Sequence, residues 1–76
     1  MIIQVMSKKE GHQQLEVLEK KDLQKTLDGI PELKKGYQLH AKMKGTGEQV
    51  LMTPKQLEKA FVDVDTVLVR QPITAG

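Results

Sequence analysis

The sequence predicts a small α+β domain with the element order β-β-α-β-β-α-β. Three observations predict it. Apolar and polar residues alternate in short stretches near both ends and in the middle of the chain. Two intervening segments switch to helical spacing. Glycine- and proline-containing turns separate the stretches.

Ile3 and Val5 alternate with Gln4 and Met6, which predicts a first strand at about 2–7. Lys9-Glu10-Gly11-His12 reads as a turn. Leu15 and Val17 alternate with Gln14 and Glu16, which predicts a second strand at about 13–18. The period then changes. Leu23, Leu27 and Ile30 share one helical face, and Gly29 and Pro31 end that pattern, because glycine suits a helix C-terminus and proline cannot continue the ladder. The main helix is expected at about 20–29, with 31–35 as a connector or short turn.

Gly36 opens the cleanest alternation. Tyr37, Leu39, Ala41 and Met43 point one way, and Gln38, His40, Lys42 and Lys44 the other. Lys44-Gly45-Thr46-Gly47 predicts a hairpin turn and 48–52 a fourth strand carrying Val50 and Met52 on one side. Thr53-Pro54-Lys55-Gln56 is a strong helix start: threonine at the N-cap, proline at the first helical position, glutamine to complete a capping box. Met52 is placed to staple onto Leu57. This short helix, about 54–61, turns Leu57, Ala60 and Phe61 inward. The last strand is expected at about 65–70, with Val67 and Val69 facing together, and Pro72 stops it. The reading gives one domain, residues 1–70, and a tail, 71–76, expected to be flexible.

Composition narrows the function classes. Seventy-six residues make one domain. The absence of cysteine removes disulfides, thiolate metal sites and cysteine catalysis, and suits a cytoplasmic setting. No apolar run approaches the ~20 residues that span a bilayer, and the charge order near Met1 is the reverse of a secretory signal. Twelve Lys+Arg against ten Asp+Glu give +2, with the charges scattered. One Tyr and one Phe leave little for base stacking, so nucleic acid is disfavoured as a partner. His12 and His40 lack neighbours at ligand spacing, and Ser7 has no base or elbow around it. No enzyme activity and no metal or cofactor site is expected.

The element order also fits another five-stranded α+β arrangement, such as a tandem ββα sheet. The order, the length and the final glycine together resemble ubiquitin. Laid beside it without a gap, the chain shares Met1, Ile3, Val5, Leu15, Glu16, Val17, Ile30, Gly47, Thr66 and Gly76. Its apolar core positions hold Ile3, Val5, Leu15, Val17, Leu23, Ile30, Met43, Val50, Phe61, Val67 and Val69 here. Gln13, Thr26 and Gln56 break that pattern, with Leu27 and Leu57 one place along. The resemblance implies a ubiquitin-like β-grasp: a five-stranded mixed sheet, one main and one short helix, and the first and last strands parallel at its centre.

It further implies a protein modifier activated and conjugated through Gly76, with Ala75-Gly76 as the small-residue end that an activating enzyme needs. The implied partners are an E1-like activating enzyme, an E2-like enzyme and a processing peptidase, acting on a monomer. The departures are as informative. Where ubiquitin carries its apolar recognition patch, this chain has Lys8, Lys44, Leu68 and Arg70. It thus resembles a diverged relative, of bacterial or phage-borne kind, rather than ubiquitin. Lys8, His40, Lys42, Lys44, Leu68 and Arg70 form the candidate docking face. The alternative function is a non-covalent adaptor or small regulator that docks a protein or nucleic acid through that face.

Overall fold

In the computed structural model, residues 1–7 and 11–72 are described. Five strands, β1 Ile2–Ser7, β2 Gly11–Glu16, β3 Gln38–Met43, β4 Gln49–Met52 and β5 Val64–Arg70, form one mixed sheet in the order β2-β1-β5-β3-β4. The fold is α+β. β1 and β5 run parallel, with Ile3 beside Val67 and Val5 beside Val69, and every other pairing is antiparallel. The helices are α1 Leu23–Asp28, α2 Pro31–Lys34 and α3 Pro54–Lys59.

The core lies between the inner sheet face and the helices. Ile3, Val5, Val67, Val69, Leu39 and Ala41 from the sheet meet Leu23, Leu27, Ile30 and Leu57 from the helical side, together with Val17 and Val64. Of the expected core residues, Ile3, Val5, Val17, Leu23, Ile30, Val67 and Val69 are buried, while Leu15 is only partly so. Leu15 sits on edge strand β2 and has a neighbouring strand on one side alone. Met43 and Phe61 pack partly buried against the cluster, and Val50 is half-buried on the other edge strand.

Several boundaries differ from the sequence reading. β2 begins at Gly11, two residues early, because the β1–β2 register pairs Ser7 with Gly11 and Met6 with His12. Gly11 and His12 therefore belong to the strand rather than the turn. Val17 lies past the ladder yet stays tied to it: its N–H donates to Met1 O at 2.8 Å and its carbonyl accepts from the Met1 nitrogen at 3.0 Å.

The expected main helix is broken into a 3₁₀ turn, Lys20–Asp22, followed by the six residues of α1, so it is no longer than α3. Gly29 caps α1 as expected, but with φ −84°, outside the left-handed region. The expected connector is helical, because Pro31 fits the first position of a new helix as well as it ends the old one. At α3, the capping box forms in full: Gln56 N–H donates to Thr53 Oγ1 at 3.2 Å and Thr53 N–H donates to Gln56 Oε1 at 2.9 Å. Phe61 falls outside α3, in a 3₁₀ turn Phe61–Asp63 that leads into β5 one residue earlier than expected.

The β3–β4 hairpin closes as its glycines foretell. Met43 N–H donates to Glu48 O at 2.8 Å, and Gly45 and Gly47 adopt φ of 82° and 71°, which side-chain-bearing residues resist. The central position of β5 gives a direct test. Val67→Ala, at a fully buried position, is expected to cost about 2 kcal/mol. Val62→Ala, 73% exposed, should change stability by less than about 0.5 kcal/mol. Urea midpoints measure both, and equal small losses would be inconsistent with a core centred on β5.

Candidate docking face

Directly paired residues share a sheet face, so the registers define the side turned away from the helices. One row across it reads Gln14, Gln4, Leu68, His40 and Leu51. The neighbouring rows add Ile2, Glu16, Thr66, Lys42 and Gln49 on one side, and Met6, His12, Arg70 and Gln38 on the other. None of these residues is fully buried. Antiparallel sheets with one face packed and one solvated show this alternation.

The face has a distinct composition. Ile2, Met6 and Leu68 are half-buried apolar residues, and Leu51 is 55% exposed. Lys42 and Arg70 supply positive charge on the β3 and β5 side. Among the paired residues of the face the one carboxylate is Glu16, at the opposite edge beside Ile2. Among the described residues three large apolar side chains stand out as exposed, Leu18, Leu51 and Val62, and of these Leu51 alone belongs to a strand.

The structure thus brings together His40, Lys42, Leu68 and Arg70 from the residues singled out in the sequence. Lys44 lies just beyond β3, in the turn, after a register shift between Lys42 and Met43. Its N–H donates to Asp63 O at 2.9 Å, which ties the hairpin to the 3₁₀ turn, while its side chain is exposed. Lys8, Ala75 and Gly76 lie outside the described residues, as does most of the expected flexible tail. Leu51 was missed in the sequence, although its phase relative to Val50 and Met52 places it on the solvent side.

His40 is the one titratable group here with a clear perturbation. Removal from water between Leu68 and Leu51 lowers its pKa from the ordinary 6.5, and the Arg70 guanidinium lowers it further. Elsewhere, Glu32 in α2 is buried and its Oε2 has no hydrogen-bond partner. Among the described residues no cluster of His, Cys, Asp and Glu is arranged to hold a metal ion, and no helix is long and apolar enough to cross a membrane. Comparison with protein-family models, with curated proteins and with solved structures gave no match.

The His40 environment has a measurable consequence. Between the lowered pKa of the folded chain and 6.5, the unfolded chain binds more protons, so stability rises with pH across that window. Acidification through it removes stability. Urea midpoints measured from about pH 7 to about pH 5 should fall in the native chain, with a shallower slope in His40→Gln. An unchanged slope in the variant would assign the loss to other groups.

Proposed function

We propose that this chain is a β-grasp binding module that docks an acidic protein surface through its open sheet face, without covalent chemistry. The observation that carries the reading is the face itself: a broad, uncovered sheet surface with apolar Leu68 at its centre, exposed Leu51 at its edge and cations at Lys42 and Arg70. A partly dehydrated apolar centre supplies burial on binding, and flanking charges steer and orient the partner. The parallel β1–β5 pair, with α1 and α3 on one side only, supports a β-grasp assignment over a tandem ββα sheet. A protein suits the face better than nucleic acid, because none of the paired residues on it is Phe, Tyr or Trp.

A photoreactive residue placed at Gln38, on the open face, should capture a partner in the native cell, whereas one at Lys25, on α1, should not. Lys42→Glu with Arg70→Glu should reduce the yield from Gln38, and added salt should reduce the native yield as well. Capture from Lys25 alone would move the docking surface to the helices and sink the proposal.

One observation favours a second reading, the covalent modifier. Central strand β5 leads directly to exposed Gln71 and Pro72, so the chain leaves the sheet from its middle rather than from an edge. In this reading Gly76 is the conjugation point, and Lys44 and Arg70 help an activating enzyme to dock. With host extract and ATP, the native chain should form adducts that survive denaturation, and deletion of Gly76 should abolish them with an unchanged melting temperature. Adducts formed equally well without Gly76 would rule this reading out.

A further inference from the structure

β4 is an edge strand, with β3 on one side and, among the described residues, no strand on the other. The ladder tells which of its groups are free. Met43 N–H donates to Glu48 O, so that pair is hydrogen-bonded. Hydrogen-bonded pairs alternate along an antiparallel ladder, which makes Ala41–Val50 and Leu39–Met52 the next two. Gln49 and Leu51 therefore turn their N–H and C=O groups to the open edge. Natural edges are commonly guarded by charge or proline, and Gln49–Met52 contains neither.

At its C-terminal end this edge opens onto a groove of about 410 Å³. Leu33 comes from α2, Tyr37 from just before β3, Leu39 from within β3, Met52 from the end of β4 and Pro54 from the start of α3. The floor is apolar. The surroundings are basic: exposed Lys34 and Lys35 follow Leu33, and exposed Lys55 follows Pro54. Lys35 also stands beside Tyr37 in an adjoining depression shared with Gln71 and Pro72. The carboxylate next to Leu33, Glu32, is buried, and Glu58 lies a turn further along α3.

We propose that the β4 edge and this groove form one binding site for an extended acidic peptide segment of another protein. The segment adds as a further strand beside β4, bonding to the outward groups of Gln49 and Leu51. A bulky apolar side chain of the segment fills the groove, and flanking carboxylates meet Lys34, Lys35 and Lys55. Charge decides between this occupant and a second copy of the chain. A second copy presents Gln49–Met52, a strand with no carboxylate of its own to meet that rim, whereas an acidic segment complements it. The site borders the open face through Leu51 and Gln38, but it rests on the β4 edge and the groove rather than on that reading.

The test is an amide NMR titration of the full chain with two capped peptides. Each has alternating leucine and threonine; one is flanked by aspartates and the other by lysines. The aspartate peptide should shift the Gln49, Leu51 and Tyr37 amides and slow exchange at Gln49 and Leu51. Combined Lys34→Glu, Lys35→Glu and Lys55→Glu should weaken it about tenfold. Gln49→Pro removes one outward N–H, leaves the β3–β4 bonds in place, and should weaken it too. Retained β1 and β5 amide shifts in each variant establish that the fold persists. Shifts confined to His40, Lys42 and Leu68, equal binding of the lysine peptide, no shift at all, or concentration-dependent shifts without peptide would each overturn the proposal; the last would name a second copy as the occupant.

Discussion

The parallel contact between β1 and β5 is the constraint on which the other elements depend. Ile3, Val5, Val67 and Val69 are paired across it and are at most 1% exposed. Burying an aliphatic side chain of this size is worth roughly 1.5–3 kcal/mol, so four together outweigh any surface ion pair in the chain. Lys21–Glu19, at 3.0 Å and well exposed, belongs to the class that contributes little. A parallel pair cannot be closed by a hairpin. The chain between β1 and β5 must travel away and return, and that path lays α1, α2 and α3 over one face. β2 then extends the sheet beyond β1, and β3 and β4 extend it beyond β5.

The same constraint explains which features were legible in the sequence. β1 and β3 alternate cleanly because each has one face on the core and one in water. The α3 start was legible because its signals are local: Thr53, Pro54 and Gln56 satisfy the helix end among themselves. β2 was placed two residues late because alternation has the same phase at either position, and only pairing with β1 separates them. Val17 kept its inward role but obtained its hydrogen bonds from Met1. Val64 is fully buried without an obvious sequence signal, since its inward position follows a register shift opposite Met43. Register is a property of the assembled sheet, so propensity does not reveal it. The helical crossover was misjudged at Pro31 for a related reason: one residue type serves both as a stop and as a first position.

The two surfaces differ in the same way. His40, Lys42, Leu68 and Arg70 meet on adjacent strands at positions of equal phase, which alternation exposes once β3 and β5 are neighbours. The groove had no such signal. Leu33, Met52 and Pro54 come from three elements and Tyr37 from the approach to β3, and none of their local patterns sets them facing one another. Only the closed β3–β4 hairpin and the placement of α2 beside it bring them together.

Leu51 links the two surfaces. Its side chain lies on the open face opposite His40, it lines the groove, and its backbone faces the free edge. Gln38 likewise borders both, paired with Arg70 on the face and present in the groove wall. A strand added at β4 would extend the open face and cover part of the exposed Leu51 side chain. Further dehydration around His40 would then favour its neutral form still more. Dehydration by a bound segment opposes protonation of His40, whereas the segment's carboxylates favour the charged imidazole, so the two effects couple edge occupation to His40 with opposite signs. The coupling needs no moving part. It follows from one leucine shared by a sheet face, a strand edge and a groove.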